Sequence, residues 1–168
     1  MDTRSRPRTF VVLVENVPGV LDRVASLFRR RSYNIESLTV GHTDRPDVSH
    51  ITIVMNADDR VASLVEANLY KLVNVLEVKD VSDVACVARD LALIKVRADH
   101  SNRSEIMQVA EVFRARVVDV SPEALIFEIT GSEDKVESLV DVLRPYGILE
   151  MARTGIVAMA RSVAAVSV

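Results

Sequence analysis

The 168-residue sequence predicts an α+β chain of two tandem βαββαβ units, each an antiparallel sheet with both helices on one face. Three observations predict this ferredoxin-like arrangement. Four segments carry apolar residues at the i, i+3, i+4, i+7 spacing of an amphipathic helix. Short runs rich in β-branched residues lie between those segments. The order of strand-like and helix-like segments in the first half then recurs in the second.

The first strand covers Thr9–Glu15, "TFVVLVE". A helix over Gly19–Arg31 follows, with Val20, Val24, Leu27 and Phe28 on one face and Leu21 beside them. Strands at Ile35–Thr43 and Val48–Asn56 flank the turn Asp44-Arg45-Pro46-Asp47. In the second of these, Ile51, Ile53 and Met55 alternate with His50 and Thr52, the period of a strand. A helix over Asp58–Leu72 presents Val61, Leu64, Val65, Leu69 and Leu72, and a strand at Val75–Val81 closes the unit.

The second unit opens with a strand at Asp90–Ala98 and a helix at Asn102–Arg114, whose stripe is Ile106, Val109, Ala110 and Phe113. Strands at Val117–Val120 and Ala124–Thr130 flank Ser121-Pro122-Glu123. A helix at Glu133–Leu143 (Val136, Leu139, Val140, Leu143) and a strand at Ile148–Arg153 complete it, with a further strand-like run at Ile156–Ala160. Asn102 and Glu105 have capping-box spacing, and Ser132 is placed to cap the fourth helix. The predicted organisation is a flexible basic tail at 1–8, a first domain at 9–82, a linker at 83–89, a second domain at 90–162 and a tail at 163–168. Strand one is apolar on both faces: Phe10, Val12 and Val14 on one, Val11 and Leu13 on the other. One face meets the helices and the other needs cover, so self-association through the sheets or their edges is expected.

The composition is 49% hydrophobic with a net charge of -3, which supports a folded core and argues against broad binding of a phosphate backbone. Cys86 is the single cysteine; it excludes an internal disulfide and reads as a small core or linker residue. The polar, basic start "MDTRSRPRTF" is no secretory signal, and no run approaches the ~20 apolar residues that cross a bilayer. "VAAVSV" at Val163–Val168 is far too short, so a soluble cytoplasmic protein is expected.

Chemistry-bearing motifs are sparse. His42 and His50 are expected to approach across the middle hairpin, but no further ligand joins them, and His100 stands apart; no metal site is expected. The five glycines are scattered, so there is no phosphate loop, and no Ser-His-Asp or Cys-His signature is present. The chain is not expected to be an enzyme. Arg29-Arg30-Arg31 complements the negative end of the first helix. RNA-recognition modules share the βαββαβ order but stack bases on aromatic residues of strands one and three, where this chain has only Phe10.

The turn "NVPGVLDRV" at Asn16–Val24 is the informative stretch. The first amides of a helix lack intrahelical acceptors and face outward with the positive end of the dipole. Gly19 lets a ligand approach the backbone, and Asn16 offers a donor and an acceptor. A small molecule with a carboxylate beside an amine suits both. On spacing alone, an N-capping Asn16 with a Pro18-Gly19 tight turn fits equally well.

After the first strand of a βαββαβ unit, "NVPGVLDRVASLF" resembles the signature of ACT domains, regulatory modules that bind amino acids at pairwise interfaces. "YNIESLTV", within "RRRSYNIESLTVGHTD", resembles the small regulatory subunit of acetolactate synthase (acetohydroxyacid synthase). "KLVNVLEVKDV", "RDLALIKV", "EVFRARVVDVSPEALIFEITG" and "ARTGIVAMAR" are similar to that family as well, so the resemblance runs from about Thr9 to Arg161.

The resemblance implies a subunit without an active site or cofactor. Its partner is a separate catalytic subunit that uses thiamine diphosphate, Mg²⁺ and FAD to condense two pyruvates, or pyruvate with 2-oxobutyrate. The small subunit raises that activity and confers feedback inhibition, usually by valine, in branched-chain amino acid biosynthesis. It also implies a homodimer through ACT domains, with the effector between two copies. Asn16, Pro18, Gly19, Val20 and Leu21 would come from one copy, Asn34 and Ile35 from the other. Two departures stand out: Ser32 occupies a position where the family often has Gly, and the start "MDTRSRPR" is extra. The second unit has "DHSNRSE" in place of the N-x-P-G turn, so it is expected to serve dimerisation or contacts with the large subunit. The alternative is a free-standing ACT-type amino-acid sensor that regulates another enzyme.

Overall fold

The computed structural model describes residues 4–162. The apolar tail at 163–168 and the first three residues of the basic tail lie outside the described residues. Two compact units emerge: one takes the residues up to Val87 and again those from Ile156, the other takes Ala88–Gly155. The run from Ile156 therefore belongs with the first unit and not with the second, where the sequence order had put it.

In the first unit the elements are β1 (Arg6–Glu15), α1 (Val20–Arg30), β2 (Ser37–His42), β3 (Val48–Ala57), α2 (Asp59–Leu69) and β4 (Val75–Asp80). The antiparallel sheet has the order β2-β3-β1-β4, which leaves β2 and β4 as its edges. Phe10, Val12 and Val14 of β1 and Ile51, Ile53 and Met55 of β3 are buried against Val24, Leu27 and Phe28 of α1 and Val65 and Leu69 of α2. The alternation that predicted the strand thus also selects the face that the helices cover. Asp58 caps α2, its Oδ1 accepting the Val61 N–H at 2.7 Å.

The second unit repeats the plan with β5 (Cys86–Arg97), α3 (Arg103–Val112), β6 (Arg116–Val120), β7 (Ala124–Gly131), α4 (Glu133–Leu143) and β8 (Ile148–Arg153), in the sheet order β6-β7-β5-β8. The repeat reaches an irregularity of register: β1 slips against β4 between Leu13 and Val14, and β5 slips against β8 between Lys95 and Val96. Its core holds Ile94, Ile106, Leu125, Phe127, Val136 and Leu139. A ninth strand, β9 (Val157–Ala160), pairs with β5, which straddles the boundary between the units.

Several local expectations are corrected. β1 begins at Arg6 and not at Thr9, so the end of the expected flexible tail is strand. Arg8 explains this. It lies on the helix-facing side of β1, opposite Met55, and is only 4% exposed. Its guanidinium meets Asp59 at the start of α2, Asp80 at the end of β4 and Asp83 beyond it. β5 starts at Cys86, which shortens the expected linker 83–89. Asn102 makes no side-chain cap; its Oδ1 accepts the Asp99 N–H, and Glu105 accepts from the Tyr146 hydroxyl instead of closing a capping box. Ser132 occupies the N-cap of α4 with extended dihedrals but makes no side-chain cap. His42 and His50 are not cross-strand partners: His42 is in register with Ser49 and Gly41 with His50.

Candidate functional site

The turn between β1 and α1 is braced from two sides. The Asn16 N–H donates to the Asp47 carbonyl at 2.7 Å, and its Nδ2 donates to the Pro46 carbonyl at 3.0 Å, tying it to the β2–β3 turn. The Glu15 N–H donates to the Asn74 carbonyl at 2.9 Å, while the Asn74 amide reaches the Glu15 carboxylate and accepts from Arg23. Asn16 is therefore not the N-cap of α1. The N-cap is Gly19, with φ +85°, the left-handed region that favours glycine.

That helix end is open. α1 has no side-chain cap, and its first regular bond is Arg23 N–H to Gly19 O at 3.1 Å. The Val20 N–H makes only a 3.5 Å contact with the Val17 carbonyl. The N–H groups of Leu21 and Asp22 face out of the helix end with the positive pole of the dipole. A Cβ on Gly19 would meet nothing within 4 Å, so the space before these amides is accessible. Val17, Pro18 and Leu21 are exposed around it, whereas the Val20 side chain is buried in the core and offers the site only its backbone.

Asn34 and Ile35 lie beyond the other end of α1. Asn34 is exposed and donates to Glu36 at 2.7 Å; Ile35 is half-buried against the core. The 11 residues of α1 separate the two sets, a length of about 16 Å at 1.5 Å per residue. One chain therefore brings Asn16, Pro18, Gly19, Val20 and Leu21 together but does not bring Asn34 and Ile35 to them. Ser32, next to this strand entry, has φ +54°, the conformation that glycine adopts without strain.

The equivalent turn of the second unit is closed by its own side chain. Asp99 Oδ1 accepts from the N–H groups of Ser101 (2.7 Å) and Asn102 (3.2 Å) and from the Ser101 hydroxyl (2.6 Å). These bonds, led by that from the Ser101 hydroxyl, hold the Asp99 carboxyl below the usual carboxylate range. A carboxylate of the chain thus fills the turn just before α3, on the amides of its N-cap Asn102 and of the residue before it, where the first unit has Pro18 and Gly19. Sequence reasoning noted the missing N-x-P-G; the Asp-x-Ser-Asn spacing was the signal for the replacement.

A second feature of the first unit is an open groove of about 670 Å³ on the sheet face away from the helices. Val11 and Leu13 form part of its floor, His50, Glu77 and Lys79 flank them, and Val157 and Met159 of β9 make a wall. The face that the sequence left in need of cover is thus partly covered by the same chain. Among the described residues, no three His, Cys, Asp or Glu stand together as a metal group. No described helix is long and apolar enough to cross a membrane.

Comparison with known proteins agrees along both units. A family model for an AHAS small subunit-like ACT domain matches residues 10–77, and one for the small subunit of acetolactate synthase matches residues 89–162. The chain is 53% identical over 153 residues to a probable acetolactate synthase small subunit of Archaeoglobus fulgidus, covering 91% of this chain and 96% of that one. It is 47% identical over 161 residues to the acetolactate synthase small subunit of Mycolicibacterium smegmatis, covering 96% and 95%. The crystal structure of the acetolactate synthase small subunit from Thermotoga maritima superposes with a TM-score of 0.88 at 43% identity, covering 94% of this chain and 98% of that one.

Proposed function

This chain belongs to the acetolactate synthase small-subunit family, and we propose that it activates a separate catalytic subunit and makes it sensitive to valine. The catalytic chain holds the thiamine diphosphate, Mg²⁺ and FAD; this chain contributes regulation and no catalytic residue. It acts in the cytoplasm as a homodimer, with the effector held where two first units meet.

The observation that carries this reading is the open N-terminus of α1 at Gly19, about 16 Å of helix away from Asn34 and Ile35. A two-fold axis that runs α1 antiparallel to its mate lays the Gly19 end of one copy beside the Asn34–Ile35 strand entry of the other. The same operation brings together two β2 edges, which are unpaired within one sheet. In that arrangement the amides near Gly19, Val20 and Leu21 receive the effector carboxylate. Asn16 and Asn34 meet its polar groups, and Pro18 and Ile35 face its isopropyl group. Because the ligand needs both copies, it favours the arrangement that completes the site, which is the differential affinity that allostery requires.

The test is an acetolactate assay with the cognate catalytic subunit, with and without this chain, across a valine titration. Higher activity with the chain and its loss as valine rises are expected. Unchanged activity on adding the chain, or an activated complex indifferent to valine, leucine and isoleucine, would refute the proposal.

A further inference from the structure

Strand β9 is the element that the proposed function leaves without a role. It follows Gly155 (φ +80°) and returns to the first unit across the sheet face away from the helices. Side chains of the first sheet hold it there. The Ile156 N–H donates to Ser37 Oγ at 3.4 Å, and the Ala158 N–H donates to Thr52 Oγ1 at 3.3 Å. The half-buried His50 ring lies within hydrogen-bonding reach of the Ala158 backbone. Ala158 and Thr52 are fully buried, so this contact is internal to the unit and not a surface brush. The far end is fixed by a 2.8 Å bond from the Arg161 N–H to the Ala85 carbonyl.

The anchors share one address. Ser37 begins β2, two residues after Ile35. Thr52 and His50 are the β3 residues in register with Thr39 and Gly41 of β2. The Ile156 bond to Ser37 of β2, at 3.4 Å, is already long, so a shift of β2 by a few tenths of an ångström decides whether it persists; Thr52, the other acceptor, lies on β3 in register with Thr39 of β2. The Ala158 amide is buried, so it has no water to turn to if it loses its acceptor.

We infer that the segment Ile156–Ala160 is a strap that senses the position of β2 and relays effector binding along the chain to Gly155, where the second unit ends. Ser37 and Thr52 act as its positioning residues. The inference rests on the reading of Asn34–Ile35 as effector-contacting residues.

Hydrogen exchange of the full chain, with and without valine and resolved over 154–161, tests it alongside calorimetry. In the parent, valine is expected to give a binding heat and to change exchange at the Ile156 and Ala158 amides at least fivefold. The double variant S37A/T52V is expected to bind valine within threefold of the parent. Its strap amides should exchange fast and ignore the ligand, and the reconstituted enzyme should lose at least tenfold in valine sensitivity while keeping its activation. A parent that binds valine with no change over 154–161 overturns the strap alone, and so does a double variant inhibited like the parent. A parent that gives no heat with valine overturns the effector reading and the strap with it.

Discussion

Replacing Gly19 by Asp is the sharpest probe of the candidate site. The position has φ +85°, so any side chain there bears strain of roughly 1–2 kcal/mol, at the low end for Asp, which tolerates the left-handed region. The new Cβ meets nothing within 4 Å, so no overpacking adds to that figure and the chain should stay folded. The ligand side loses more. A carboxylate bound by helix-end amides draws on charge-assisted hydrogen bonds of about 1.5–3 kcal/mol each. The introduced carboxylate would compete for those amides as a cap and repel an anion about 4 Å away by ~1–4 kcal/mol, depending on local screening. A net loss of roughly 2–4 kcal/mol corresponds to an affinity some 30- to 1,000-fold weaker. Isothermal calorimetry with valine measures it, with a urea transition as the check on folding. Gly19→Ala, which carries the strain without the charge, should lose clearly less. A folded Gly19→Asp variant that binds valine within threefold of the parent refutes the assignment of the α1 N-terminus.

Three further outcomes follow from the first unit. Arg8→Met should destabilise the chain by about 1–3 kcal/mol in urea unfolding; the full cost of breaking a buried pair is reduced because Asp59, Asp80 and Asp83 are 33%, 22% and 61% exposed. Ser32→Gly should raise stability by up to about 1 kcal/mol, since it removes left-handed strain at φ +54° but adds unfolded-state entropy. Burial, the largest cause, pushes His50 below its usual value near 6.5, so the unfolded chain takes up its proton first. The contribution of His50 to stability is then complete above about pH 6.5 and is lost as pH falls through that value toward the folded-state pKa. Replacing His50 by Gln should flatten this part of the urea-midpoint profile.

What could be read from the sequence follows the range of its signals. Apolar periodicity is local, so the eight strands and four helices of the repeated pattern were legible, and α4 and β8 fall on their predicted residues. The β9 run was visible as a strand, but its place was not: nothing in "GIVAMA" says that Ala158 packs on Thr52, 106 positions away. Arg8 was hidden for the same reason. A basic residue in "RSRPRTF" reads as a solvated tail until three aspartates distant in sequence converge on it. Capping failed where two polar residues competed. Asp99 takes the Asn102 N–H that Glu105 was expected to accept. At the site, the open helix end was legible from Asn16-Val17-Pro18-Gly19. The role of Asn16 as a brace to Pro46 was not, because that partner lies across the β2–β3 turn.

The two units show why one fold repeated need not give one function repeated. They share element order, sheet order and the slip before the first helix. They differ in the turn that leads into that helix. In the second unit Asp99 accepts from the Ser101 and Asn102 N–H groups and the Ser101 hydroxyl, so a carboxylate of the chain itself fills the turn just before α3. In the first unit Gly19 has no side chain to offer, Asn16 is committed to Pro46, and the pole of α1 stays open. An open pole is stabilised by whichever anion arrives, and an anion that also carries an apolar branch needs a further wall. In the proposed dimer that wall is Ile35 of the other copy. On the proposed function, sensitivity to a ligand and dependence on pairing would be one property of this turn: the feature that leaves the site incomplete in one chain would also make its occupant a reporter of how two chains are arranged.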